Sequence, residues 1–207
     1  MNIPYIPYKD GESRLDWHGL IDAIREGHKS PRAEIGDTFL YRDPDTLLSR
    51  SAFIDGLGIA VKSATVFPEN PNNSKPMING AVSLFSDEDG TLQALIDFHL
   101  VTKWKTAGDS LLASSLLARS DSKAILIVGA GTVGRSLREA YGAYFPDAKF
   151  TVWNRTRAKA EAMALNDPRM KVAESLQGAV EAADIITSAT MSTEPLIKGA
   201  WLRAGQH

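Results

Sequence analysis

The sequence predicts an α/β protein with two parts: an α+β domain in its first half and a parallel-sheet domain in its second half. Residues 123–190 alternate between apolar runs of strand length and helical patterns, which is typical of a parallel sheet with right-handed crossovers. Residues up to about 98 instead contain successive strand-like runs and one helical pattern. The chain has 207 residues, 43% of them hydrophobic, which suits one large or two small domains.

The first half shows the patterns of an antiparallel sheet with one helix against it. Apolar residues at helical spacing predict a helix from Ser13 to about Glu26, with Ser13 as its cap. The acidic segment 87–90, which ends in glycine, predicts a hairpin turn. We expect residues 1–12 to be extended and rich in turns. Strand-like runs cover residues 38–42, 47–54, 59–67, 81–85 and 92–97.

The second half begins with a long helical pattern over residues 100–119, which we expect to join two domains. The expected limits are 1–105 for the first domain, 106–122 for a linking helix and 123–207 for the parallel-sheet domain. Within the last of these, apolar runs predict the strands and helical patterns predict the helices between them. The strands are expected at 124–128, 150–153, 170–173 and 184–188, and the helices up to about 144, over 157–166 and over 175–183.

A glycine-rich turn connects the strand at 124–128 to the following helix. Gly129, Gly131 and Gly134 form a G-x-G-x-x-G pattern between strand and helix, the context in which this pattern indicates a dinucleotide. Gly129 would make the tight turn, Gly131 would let the backbone approach a pyrophosphate, and Gly134 would let helix and strand pack closely. The N–H groups at the helix start, around Thr132 and Val133, would hold the phosphates. We therefore expect a Rossmann-type domain; the alternative is a glycine turn without a ligand.

The end of the next strand predicts which dinucleotide binds. Domains that select NAD(H) usually have Asp or Glu there, to bond the ribose hydroxyls. This chain has Asn154, Arg155, Thr156 and Arg157, so no carboxylate repels a 2′-phosphate and Arg155 can bind one with its fork of donors. We expect NADP(H) to be preferred, with NAD(H) possible. The same segment can also cap the next helix through Thr156, and Thr190 is a further cofactor-binding candidate.

Composition excludes several classes of protein and site. The formal net charge of -2 leaves no basic surplus for nucleic acid. The sequence contains no cysteine, which excludes disulfides, thiolate metal sites and cysteine nucleophiles. The histidines are scattered, so we expect no metal site. The N-terminus lacks a secretory-signal pattern and no apolar run approaches the about 18 residues of a membrane helix, so we expect a cytoplasmic protein that binds neither nucleic acid nor membrane.

Several segments together resemble the ornithine cyclodeaminase/mu-crystallin family, from about Ser30 to the end of the chain. The glycine turn is one of them, and the others are residues 61–68, 75–80, 102–108 and 185–205. The resemblance implies a Rossmann domain joined to an α/β domain that binds substrate and pairs into a homodimer. It also implies an enzyme that moves hydride at the α-carbon of an amino or imino acid.

The resemblance implies roles for individual residues as well. Lys62 resembles the family lysine that contacts the substrate carboxylate, and Arg32 resembles the arginine that grips the same group, with Arg42 and Arg50 as alternatives. A guanidinium fork and a point charge together suit an α-carboxylate. Lys105 stands where the family has an arginine that bridges substrate and cofactor. Lys62 and Lys105 are therefore the catalytic candidates.

Three functions are open within this resemblance. The first, our main expectation, is conversion of ornithine to proline and ammonia, a lyase reaction without net redox change. The second is reduction of a cyclic imine, such as a ketimine or pyrroline-2-carboxylate, by NADPH, or a related reaction like that of alanine dehydrogenase. The third is NADPH-dependent binding of a small molecule, as in mu-crystallin.

The parallel-sheet domain is expected to be incomplete. Its four strands are fewer than the pattern of about six that doubly wound dinucleotide domains usually have. In the family, a catalytic aspartate lies shortly beyond the segment that resembles residues 203–205 here. We therefore expect a C-terminal part to be missing, and the chain as it stands to be a poor catalyst.

Overall fold

The chain folds into two compact units. A computed structural model describes residues 3–207. The first unit ends at Thr102 and the second extends from Lys103 to His207, so the division falls inside the long helix Phe98–Leu117. This helix begins and ends two residues earlier than its sequence pattern, and the domain limits given above remain predictions. In the described part of the chain, no helix has the length and apolar character needed to cross a membrane.

The first unit is built on a six-stranded sheet. Its strands are β1 Tyr5–Ile6, β2 Glu34–Arg42, β3 Asp45–Ile54, β4 Gly58–Val66, β5 Ile78–Phe85 and β6 Leu92–Asp97. They lie in the order β1-β6-β5-β4-β3-β2, and all neighbours are antiparallel except β1 and β6. The parallel β1 corrects the expectation of a purely antiparallel sheet with an irregular start, because Tyr5 and Ile6 pair with Leu95 and Ile96.

Two short helices precede the main run of strands: α1 Tyr8–Glu12 and α2 Trp17–Gly27. The expected cap at Ser13 is wrong. Asp16 caps α2 instead, since its Oδ1 accepts the N–H of Gly19 at 2.8 Å. This start places Trp17 in the core, where it is 8% exposed. The helix is therefore positioned by burial of its apolar face as well as by its cap.

The second unit contains a four-stranded parallel sheet, as the sequence predicts. Its order is β10-β7-β8-β9, so the chain runs to one side of β7 and then returns to its other side. Such a reversal is where ligands bind in open parallel sheets, at the carboxyl ends of the strands. The strands are β7 Ala124–Val128, β8 Lys149–Trp153, β9 Met170–Val172 and β10 Ile185–Ser188. The helices are α4 Thr132–Tyr144, α5 Arg157–Ala164, α6 Leu176–Ala182 and the part of α3 Phe98–Leu117 that follows Thr102.

Asp184 ties the amino ends of β7 and β10 together. Its Oδ2 accepts the backbone N–H groups of Lys123 and Ala124, both at 2.9 Å, and its Oδ1 lies 3.4 Å from Arg119 and 3.3 Å from Arg203. The backbone hydrogen bonds, followed by the guanidinium groups, hold the pKa of Asp184 below its ordinary value. This carboxylate therefore stabilises the fold at the amino ends of the strands, which are opposite the glycine turn.

Candidate functional site

Two of the three motif glycines are required by close backbone contacts. Gly129 has φ of 114°, a conformation that favours glycine, and a Cβ there would lie 2.2 Å from the carbonyl oxygen of Ala189. A Cβ on Gly134 would lie 2.0 Å from the carbonyl oxygen of Gly129. The turn is therefore packed between the start of α4 and the loop that follows β10, as its sequence predicts.

Gly131 differs from the other two because it faces open space. A Cβ on this residue would meet no atom within 4 Å. Gly131 is the N-cap of α4 and provides no capping side chain, so the first-turn N–H groups of Thr132, Val133 and Gly134 have no partner inside the helix. An open approach to unpaired donors at the positive end of a helix suits a phosphate, and these residues fit the pyrophosphate of a dinucleotide.

The segment after β8 presents one amide and two arginines. Asn154 faces the glycine turn, where its Oδ1 accepts the N–H of Ala130 at 3.1 Å. Arg155 is exposed at the surface. Arg157 bonds Glu161 of its own helix, with Nε and Oε1 2.9 Å apart. Thr156 occupies the N-cap position of α5 but its side chain makes no capping hydrogen bond, so Arg155 is the member of this segment most available to a 2′-phosphate.

A cavity of about 350 Å³ lies in the loop that follows β10, at the carboxyl ends of the parallel strands. Thr190 lies in this loop, and its Cγ2 would be 3.3 Å from a Cβ on Gly129. The structure therefore brings Thr190 beside the glycine turn. Sequence reasoning missed the rest of the lining, for which the cluster of small hydroxyl residues after an apolar strand was the available signal. The lining residues are Ser188, Thr190, Ser192, Thr193, Glu194, Pro195, Leu196 and Ile197.

Lys62 lies in the middle of β4 in the first unit. It is half-buried, and its Nζ lies 5.0 Å from the centre of the Phe98 ring, within the range of a cation–π interaction. Its neighbours across the sheet are Arg50 on β3 and the buried Val82 on β5. The lysine is therefore part of a packed sheet face rather than a loose surface side chain.

The three arginine candidates have different surroundings. Arg50 pairs with Asp37 through two contacts, 2.6 Å from Nε to Oδ1 and 2.5 Å from Nη2 to Oδ2. Arg42 pairs with Asp45 at 2.6 Å. Arg32 is exposed in the connection that precedes β2. The register of β3 and β4 therefore brings Arg50 beside Lys62, but the guanidinium of Arg50 is already bound to a carboxylate.

Lys105 lies in the second unit, on the exposed side of α3. Its side chain is 65% exposed and pairs with Asp109 one turn later. The neighbouring Lys103 is the more enclosed of the two, with a side chain 12% exposed and its Nζ 2.5 Å from Glu139. The i,i+4 spacing of Lys105 and Asp109 was the sequence signal for a solvated face.

The described residues contain no cluster of His, Asp and Glu that could hold a metal ion.

The chain is similar to known proteins along most of its length. The model of the ornithine cyclodeaminase/mu-crystallin family matches residues 53–207. A Delta(1)-pyrroline-2-carboxylate reductase of Paracoccus denitrificans is 44% identical over 98% of this chain and 66% of its own length. The ketimine reductase mu-crystallin of Rattus norvegicus is 34% identical over 72% of this chain and 48% of its own length.

A solved structure shows the same fold. The Delta(1)-pyrroline-2-carboxylate reductase of Thermococcus litoralis, in complex with NADH and L-proline, superposes with a TM-score of 0.86 at 25% identity, over 99% of this chain and 67% of that one. The chain thus spans about half to two thirds of the length of the relatives it matches. With the family match covering most of the sequence, the chain belongs to the ornithine cyclodeaminase/mu-crystallin family.

Proposed function

We propose that this protein takes part in the NAD(P)H-dependent reduction of a cyclic imino acid to the corresponding cyclic amino acid. The observation that carries the proposal is the 44% identity, over 98% of the chain, to a Delta(1)-pyrroline-2-carboxylate reductase. This places reduction, the second of the three functions open from the sequence, ahead of ornithine cyclodeamination. The glycine turn supports the dinucleotide part of the proposal, because close backbone contacts at Gly129 and Gly134 hold the turn and Gly131 leaves an open approach for the phosphates.

In this proposal the second unit holds the cofactor. The first-turn N–H groups of α4 bind the pyrophosphate, and Thr190 contacts the cofactor from the loop after β10. When bound, the reduced nicotinamide would supply a hydride to the imine carbon, while the imine nitrogen of the substrate would take up a proton from solvent. Arg155 pairs with a 2′-phosphate, because the guanidinium of Arg155 is exposed and no carboxylate stands at the end of β8. This pairing makes NADPH the preferred hydride donor.

The first unit supplies the charges for the substrate. Lys62 binds the carboxylate of the imino acid as a point charge, with the ring of Phe98 fixing the position of its ammonium group. Arg32 provides the guanidinium fork for the same carboxylate. Lys105 remains a candidate for contact with substrate or cofactor, and binding of either ligand would have to displace its pairing with Asp109.

Three incubations of the purified full-length protein test the proposal. Oxidation of NADPH that depends on pyrroline-2-carboxylate supports an imine reductase. Release of ammonia and proline from ornithine with catalytic NAD(P)+ indicates a cyclodeaminase and overturns the proposal. Tight NADPH-dependent binding of the imine without turnover indicates a binding protein. Titration of Trp fluorescence with NADPH and NADH decides the cofactor preference, and tighter binding of NADH would refute the role of Arg155.

We also propose that the first unit pairs into a homodimer through β2. All nine residues of this edge strand are exposed, and the described residues leave its outer edge without a neighbouring strand. The strand carries Ile35, Phe39, Leu40 and Tyr41, which are 47–75% exposed. A long apolar edge of this kind invites pairing with another chain.

A further inference from the structure

The side-chain amide of Asn154 connects two loops of the second unit. Its Oδ1 accepts the N–H of Ala130 at 3.1 Å, and its Nδ2 donates to the carbonyl of Thr156 at 3.0 Å. Ala130 is the residue inside the glycine turn and is 5% exposed. One half-buried side chain therefore makes hydrogen bonds to the backbone of both the turn that follows β7 and the turn that follows β8.

A side-chain hydrogen bond lies next to the last backbone bond between β7 and β8. The last backbone bond between these strands joins the N–H of Gly129 to the carbonyl of Trp153 at 2.8 Å. The Oδ1 of Asn154, the residue after Trp153, accepts the N–H of Ala130, the residue after Gly129. The glycine turn is thereby fixed to β8 at two successive N–H groups.

Only an amide matches both contacts. Ala130 requires an acceptor and Thr156 requires a donor, and the two ends of an Asn side chain supply one of each. An aspartate would keep the acceptor but would turn a charged oxygen toward the Thr156 carbonyl. Removal of the side chain would leave the Ala130 N–H unsatisfied in a nearly buried position, which is costly.

From this geometry we propose that Asn154 is a positioning residue for the dinucleotide-binding turn, rather than a residue that recognises the adenosine ribose or its phosphate. The proposal rests on the dinucleotide site of the proposed function. It separates two tasks within one segment: Asn154 fixes the turn for any dinucleotide, and Arg155 distinguishes NADPH from NADH. An Asn154→Asp substitution should therefore fail to convert the site to NADH.

Hydrogen exchange of the protein without cofactor tests the positioning contact directly. In the wild-type protein and in the control variant Arg155→Ala, the Ala130 amide is expected to be protected. In Asn154→Ala it is expected to exchange at least about tenfold faster, because its acceptor is gone. Unchanged exchange in Asn154→Ala would overturn the proposal, whether or not the protein binds a dinucleotide.

Cofactor titrations of the same variants test the division of tasks. We expect Asn154→Ala to raise the Kd values of NADPH and NADH by the same factor, about tenfold, and Arg155→Ala to raise only that of NADPH. A change of more than about threefold in the NADPH/NADH ratio with Asn154→Ala would overturn the proposal, and so would two unchanged Kd values. The isosteric Asn154→Asp should weaken NADH binding, whereas tighter NADH binding would reveal a ribose contact. Failure of the wild-type protein to bind either dinucleotide would refute the proposed function, while hydrogen exchange would still report on the contact.

Discussion

Substitution of Gly131 by serine should separate stability from cofactor binding. The backbone of Gly131 has φ of -86° and ψ of -167°, which any L-residue adopts. A Cβ there meets no atom within 4 Å, and serine is a slightly better N-cap than glycine. We therefore expect the free energy of unfolding to stay within about 0.5 kcal/mol of wild type.

Dinucleotide binding, unlike stability, should weaken in this variant. The serine oxygen would accept an N–H of Val133 or Gly134, which removes a donor that the phosphates need, and the new Cβ would occupy their line of approach. Loss of one charged hydrogen bond costs about 1.5–3 kcal/mol, which corresponds to a Kd roughly tenfold to a hundredfold higher. Fluorescence titration with NADPH and NADH measures this change, and thermal denaturation measures stability.

Gly134→Ala is the matched control. Its Cβ would lie 2.0 Å from the Gly129 carbonyl oxygen, so the backbone must shift and the protein should lose about 1–3 kcal/mol of stability or more. Binding should fall in both variants, with the melting temperature lowered only in Gly134→Ala. If Gly131→Ser bound dinucleotide as tightly as wild type, the phosphates could not lie on this turn, and the proposed cofactor site would be wrong.

Three further predictions concern other parts of the molecule. Asp184→Ala should destabilise the protein by roughly 1–3 kcal/mol at neutral pH, because backbone N–H groups lose their acceptor. Since the folded pKa of Asp184 is lowered, its stabilisation exists above the unfolded pKa and is lost as the pH falls below about 4; melting curves of the two proteins should converge there, and a constant gap would contradict this. Lys62→Met should raise the KM for the imine about tenfold or more with unchanged NADPH affinity, whereas an altered NADPH Kd with normal KM would exclude the substrate role. Tyr41→Lys should shift the protein toward monomer in light scattering, while Leu117→Lys, also at an exposed apolar position, should not; equal behaviour of both would exclude the β2 interface.

The parallel-sheet unit could be predicted because its signals are local. The β7 limits match the apolar run at 124–128, and α6 begins after Ser175, which caps it by accepting the N–H of Gly178 at 3.2 Å. In each case the residues that determine the element lie within it or directly beside it in the sequence. The strand β1 was missed for the opposite reason, since its two residues acquire their structure by pairing with β6 about ninety residues later.

Prediction of the site was limited in the same way, because side-chain contacts between distant segments have no local sequence signal. The glycine pattern predicts the turn because Gly129 and Gly134 have close backbone contacts that leave no room for a side chain. The orientation of Asn154 could not be predicted, since its partner Ala130 lies on another loop. The exposure of Lys105 depends on the rotation of α3, which also leaves Lys103 enclosed. Contacts between distant segments therefore decide which of several suitable residue types is available for chemistry.

The same reasoning narrows the choice of arginine for the substrate carboxylate. A bidentate clamp needs a guanidinium whose donors are accessible, and a pre-existing carboxylate partner must first be displaced. Arg50 is held by Asp37 through two short contacts, and Arg42 is held by Asp45. Among the described residues, no carboxylate lies within ion-pair distance of Arg32. Register favours Arg50, which is beside Lys62, but availability of donors favours Arg32, and availability should decide because the incoming carboxylate would otherwise compete with a charge already in place.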